Sequence, residues 1–202
     1  YEGTIYMVAN AGNMIDLQQM KEEGISEEEW KKTTMAMSNG KVVNFFTGSL
    51  VIDGQNQPSQ SLTLKRGVAR FDLNVDVAGS AAIESLTLKN VAQSGYLFAQ
   101  GEVAASPADV ERNDVTAHFD TALSASTPGV LYVYEQENAG IEVSIEAVID
   151  GQHKVLTKTL EGNLKRNTIY TVTVRKNDID IVVKVGIDDW EPGEDTEIIP
   201  QL

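Results

Sequence analysis

The chain has no cysteine. Disulfides, thiolate metal sites and cysteine nucleophiles are therefore excluded together. Histidine is scarce too: His118 and His153 are the only two. There is no His-x-x-x-His or Asp-x-Asp-x-Asp-Gly spacing for zinc or calcium, no Gly-x-Ser-x-Gly elbow, no Gly-x-Gly-x-x-Gly run and no P-loop. A triad of His153, Asp150 and a distant serine can be drawn, but a solvated turn histidine is the simpler reading. The expectation is a protein that is not an enzyme and carries no cofactor or metal. Basic residues are few, 16 against 30 acids, for a net charge of −14. Nucleic acid is not expected as a partner, because a basic face must replace counterions around phosphate. Docking on anionic lipid is disfavoured for the same reason. No apolar run approaches the ~18 residues of a membrane span, so direct membrane insertion is not expected. No signal peptide is visible. The chain starts inside an apparent strand at Gly3 to Ala9, so further sequence is expected upstream of Tyr1, where any targeting or lipidation signal would lie.

What is present is alternation. Hydrophobic residues make up 42%, enough for a packed core. The stretch Leu164 to Trp190 holds two alternating runs. Tyr170, Val172 and Val174 point one way, and Thr171, Thr173 and Arg175 the other. Ile179, Ile181, Val183, Val185 and Ile187 then face a core, with Asp180, Lys184 and Asp188 toward water. Alternating side chains across a turn predict a half-buried antiparallel hairpin. Lys176-Asn177-Asp178 supplies the turn, since Asn and Asp tolerate left-handed backbone. Asn39-Gly40, Asp53-Gly54 and Asp150-Gly151 are further two-residue turn signals. Phe71, Leu73, Val75 and Val77 alternate with Arg70, Asp72, Asn74 and Asp76. Ile141, Val143, Ile145, Ala147 and Ile149 alternate as cleanly. One clear helix signal stands out: Ser26 and Glu29 have capping-box spacing, with Ile25 and Trp30 at the staple positions. Met14 to Met20 adds one or two helical turns.

The organisation reads as all-β, with regular strands, primed turns and little helix. Residues 101–129 are poor in large apolar side chains and contain Pro107 and Pro128, which marks a crossing with an edge strand near His118-Phe119. Leu64-Lys65-Arg66 before one alternating strand echoes Leu164-Lys165-Arg166 before another, as two related domains in tandem would. The expected architecture is two tandem antiparallel β-sandwich domains, residues 1–104 and 105–202, with one or two short helices in the first.

Certain segments resemble a known family. Leu64-Lys-Arg-Gly-Val-Ala-Arg70, Ile83 to Asn90, Val130-Leu-Tyr-Val-Tyr-Glu-Gln-Glu-Asn138, Leu164-Lys-Arg-Asn-Thr-Ile-Tyr170 and Asp189-Trp190 are similar, in order and spacing, to the fimbrillin superfamily. These are pilin-like surface proteins of Bacteroidales, the type V pilus and fimbrial adhesins. The resemblance implies export as a lipoprotein, a place on the cell surface attached to the outer membrane or within a fimbrium, and other fimbrial subunits as partners, with a host or bacterial surface ligand as a further one. It also implies that both sandwich domains are transthyretin-like, and that assembly proceeds by β-strand exchange. The candidate exchange face is Ile179, Ile181, Val183, Val185 and Ile187. The tail after Trp190 is acidic and contains two prolines, a poor donor strand, which favours an accessory tip or anchor subunit whose hairpin closes its own sandwich. An alternative is a surface-anchored glycan-binding lipoprotein, with Trp30, Trp190 or Tyr132 as the stacking platform. The tail acids could also gather a calcium ion.

Overall fold

The alternating segments do form strands in the computed structural model, which describes residues 2–11, 15–53 and 61–185. In chain order they are β1 (Glu2–Ala9), α1 (Leu17–Glu23), α2 (Glu27–Lys31), β2 (Thr34–Ala36), β3 (Phe46–Asp53), β4 (Lys65–Arg66), β5 (Val68–Val75), β6 (Ala81–Ala92), β7 (Ser94–Tyr96), β8 (Arg112–Leu123), β9 (Thr127–Tyr134), β10 (Glu142–Ile149), β11 (Gln152–Thr159), β12 (Thr168–Val174) and β13 (Ile179–Val185). The fold is all-β with two short helices. Residues 101–129 contribute more than a crossing: β8 is a twelve-residue strand through His118-Phe119.

Two four-stranded sheets carry the main core. Their orders are β11-β10-β6-β8 and β13-β12-β5-β9. β11 approaches β13 at one side, and β8 approaches β9 at the other, so the sheets stack edge over edge as a sandwich. Between them lie Phe71 and Leu73 of β5, Leu86 and Leu88 of β6, Val143 and Ile145 of β10, and Tyr170 and Val172 of β12. The Phe71 and Tyr170 rings stack with centroids 5.2 Å apart.

A boundary at 104/105 cuts through both sheets instead of between them. β5 and β6 precede it, while their partners β9, β12, β8 and β10 follow it. The echo between Leu64-Lys65-Arg66 and Leu164-Lys165-Arg166 falls on neighbouring structure. It marks two strands, β5 and β12, that lie side by side in one sheet with Phe71 opposite Tyr170 and Leu73 opposite Val172. That pairing is parallel, so the sandwich is not purely antiparallel.

A second apolar cluster covers part of the outer surface. Met35, Phe45, Val68, Leu97, Phe98 and Tyr134 are buried in it. β1 reaches this cluster through Tyr6 and Val8, β2 through Met35 and α2 through Trp30. Tyr134 joins it to the sandwich: its hydroxyl donates to Ala36 C=O (3.2 Å) and accepts from Val43 N–H (2.8 Å). α2 begins as its sequence predicts, with Ser26 and Glu29 forming both bonds of a capping box. Asn39-Gly40 and Asp150-Gly151 both take left-handed backbone at their two positions, the geometry that a two-residue hairpin turn requires.

Candidate functional site

β13 is the last described strand and an edge strand, paired with β12 from Val174↔Ile179 to Thr168↔Val185. Ile179 is buried, and Ile181 and Val183 are half-buried against the sandwich core. Val185 keeps its place in the ladder; Ile187 lies outside the described residues. β12 differs from the simple alternation, because Thr168, Ile169 and Thr173 are buried as well as Tyr170, Val172 and Val174. The cause is its interior place in the sheet, between β13 and β5. Thr173 is satisfied there by a bond from the Asn74 amide to its hydroxyl, 3.3 Å.

The turn between β12 and β13 also departs from expectation. None of Lys176, Asn177 and Asp178 has positive φ. The loop closes instead through Arg175 N–H donating to Asp178 C=O, 2.9 Å. Side chains from the facing sheet hold it. Lys154 donates to Lys176 C=O and to the Asn177 side chain, both 2.8 Å. Lys176 pairs with Asp150 at 2.5 Å, and Lys158 with Asp180 at 2.7 Å. The Lys176 bond, with help from Ser80 N–H, holds the Asp150 carboxyl below the ordinary carboxylate range. Lys158 does the same for Asp180. The open side of the sandwich between β11 and β13 is thus bridged by charge.

Behind the hairpin lies a group of polar residues whose roles the sequence does not announce. Arg166 is almost fully buried. Its Nε donates to Glu135 (3.0 Å), and its Nη1 and Nη2 donate to Leu97 and Tyr96 C=O (3.0 and 2.9 Å). Gln136 is fully buried and accepts from Ala92 N–H (2.9 Å). Asn138 accepts from the N–H groups of Gly140 and Ile141 and donates to Leu160 C=O. The Tyr170 hydroxyl donates to Asn163 C=O (3.1 Å) and accepts from Lys165 N–H (2.9 Å). Burial pushes this phenol up to about 12. These residues fall within two of the segments that carry the family resemblance, 130–138 and 164–170, and they stitch loops to strands.

The stacking candidates do not converge. Trp30 is half-buried with its ring 5.5 Å from Phe98. Tyr132 is half-buried against the second cluster and lines a different groove from Trp30. Trp190 and the acidic tail lie outside the described residues. His153 meets Glu84 at 3.2 Å, and the Asp150 side chain is engaged by Lys176 and Ser80, so these residues do not assemble a triad. Among the described residues no group of three or more His, Asp and Glu is placed to hold a metal ion. No helix there is long and apolar enough to cross a membrane.

The described residues define an all-β sandwich with charged bridges along one edge. The chain belongs to the family of fimbrillin-A associated anchor proteins Mfa1 and Mfa2, whose model matches residues 2–196. This is a family of fimbrial proteins, not of enzymes. Comparison with curated proteins finds no match. Among solved structures, the chain is similar to a cell adhesion protein from Bacteroides eggerthii, with TM-score 0.58 and 12% identity over 90% of this chain and 76% of that one. It is also similar to the tip fimbrial protein Mfa3 from Porphyromonas gingivalis, with TM-score 0.57 and 13% identity over 89% of this chain and 79% of that one. At these identities the likeness shows the fold.

Proposed function

We propose that this protein is an accessory subunit of a cell-surface fimbria, at the anchor or tip, joined to other fimbrial subunits by β-strand exchange. The observation that carries the reading is β13. It is an edge strand whose inward residues complete a core shared by two sheets. Such a strand can be replaced by an equivalent one, because ladder bonds supply affinity and alternate side chains supply specificity. The bridges from Lys154, Lys158 and Lys176 favour a strand that stays in its own sandwich. That suits a subunit at an end of the assembly better than a repeating donor.

A chain truncated after Asp178, offered a peptide copying Ile179 to Ile187, tests this. Binding at micromolar peptide is expected, and loss of binding when alternate isoleucines become Asp. No binding at high micromolar peptide overturns the exchange reading. Attachment to the outer membrane by a lipid upstream of Tyr1 is part of the same proposal. Incorporation of labelled fatty acid into the full precursor checks it.

A further inference from the structure

A different edge carries an interaction surface. β1 pairs with β3 on one side and with no other strand of the described residues. Tyr6, Met7 and Val8 all line a groove of about 430 Å³, together with Asn10, Ala11, Ile15, Leu17 and Trp30. Consecutive residues of a strand point to opposite faces, so a groove touching all three runs along the strand's edge. β3 contributes nothing to its lining, which puts it on the edge away from β3. One wall is apolar: Ile15, Leu17 at the start of α1, and Trp30 of α2.

This edge lacks the guards that the four edges of the main sandwich carry. β8 has Arg112, Asp114, His118 and Asp120; β9 has Pro128; β11 and β13 carry lysines and Asp180 and bridge each other. β1 from Gly3 to Ala9 has no charge and no proline. Ile5 and Met7 are 45% and 46% exposed, and Leu17 is 64% exposed. A long, uncharged, apolar edge strand is a template for pairing with another chain. The rim selects the partner. Between residues 16 and 32 there are six acids and three bases. Lys31 and Lys32 are matched by Glu27 and Glu28, each at 2.7 Å, so the remaining rim is net negative. Two such rims facing each other would repel, in a chain of charge −14. A second copy is therefore a poor occupant.

We propose that the free edge of β1 docks an extended segment of another protein, apolar at alternate positions and flanked by lysine or arginine. Main-chain bonds would add it to the β1-β3-β4 sheet, its apolar side chains would fill the groove beside Leu17 and Trp30, and its basic flanks would meet the helix rim. The proposal stands apart from strand exchange at β13.

The probe is the peptide Lys-Lys-Val-Thr-Val-Thr-Val-Lys-Lys, fluorescently labelled and titrated into the whole chain. Three controls accompany it: the same core with Glu flanks, the same peptide with its central Val replaced by Pro, and the variants Met7→Lys and Leu17→Lys. Both variants replace exposed side chains, so their thermal unfolding should match the parent. The basic peptide should bind about tenfold or more tighter than the acidic one, weaken as salt rises, and protect the amides of residues 3–9 from hydrogen exchange. The proline peptide and the two variants should each lose about tenfold or more in affinity. The proposal is overturned by no binding of the basic peptide, by equal binding of the proline peptide, or by amide protection at β13 instead of β1. It is equally overturned if sedimentation finds a dimer of this chain that Met7→Lys dissolves. Failure at β1 leaves the β13 experiment standing, since that one reads a different strand in a truncated chain.

Discussion

Arg166 shows how a single side chain can hold three segments. Its guanidinium reaches Glu135 and the carbonyls of Tyr96 and Leu97 while both charged side chains are about nine-tenths buried. Removing one partner leaves a charge in a poor solvent. Glu135→Gln should lower unfolding stability by about 3 kcal/mol, read from the urea midpoint. An apolar double replacement, Glu135→Leu with Arg166→Met, should recover most of the loss. Tyr170 makes a second residue-scale case. Its phenol sits at about 12 in the fold against 10.0 when exposed. Above pH 10 the unfolded chain gives up this proton first, so stability is full below pH 10 and falls as pH rises toward 12. The loss is on the order of 2 kcal/mol, and Tyr170→Phe should flatten that limb of the pH–stability curve. Alternation placed Tyr170 inward correctly. It could not place Arg166 inside, because a buried arginine depends on partners from remote parts of the chain.

At the scale of elements, the β12–β13 hairpin is fastened from across the sandwich. Asp150 and Asp180 are held below the usual carboxylate value of 3.8 by Lys176 and Lys158. Their contribution is present above that value and lost as pH falls through the lowered ones. Hydrogen exchange of the 179–185 amides, corrected for its intrinsic pH dependence, should therefore loosen below about pH 3.8. Lys158→Ala should loosen the same amides at neutral pH and low salt, with less effect at high salt. A steric prediction belongs here too. The Phe45 ring lies where a Cβ at Gly67 would stand, so Gly67→Ala should cost about 1–3 kcal/mol by forcing the ring out of the second cluster. The local devices were legible: the Ser26–Glu29 capping box and the Asp150-Gly151 turn are written in adjacent residues and need no partner. The 175–178 loop was not, since Asn and Asp permit left-handed backbone without requiring it, and its closure comes from Arg175 N–H and from Lys154 on another strand.

The whole molecule is governed by pairings between its two halves. All-β character and the run of strands followed from period-two alternation, but strand order did not. Main-chain ladders carry no side-chain code, and a parallel neighbour such as β12 beside β5 looks in sequence like a repeated unit. The interleaving has a direct test. Residues 1–104 alone contain β5 and β6 but neither β10 nor β12, so this fragment should show no cooperative unfolding transition by circular dichroism. The full chain should unfold in a single one.

The parallel contact between β5 and β12 also sets a timetable. A chain emerging from its N-terminus makes β5 long before Thr168–Val174 exists. Until then β5 lacks its interior neighbour and the sandwich cannot close. Distant pairings of this kind slow folding, because the connecting loop must be ordered before its contacts reward it. The sandwich therefore closes late: β11-β10-β6-β8 can pair once Thr159 is made, but the facing sheet stays incomplete until Thr168–Val174 arrives.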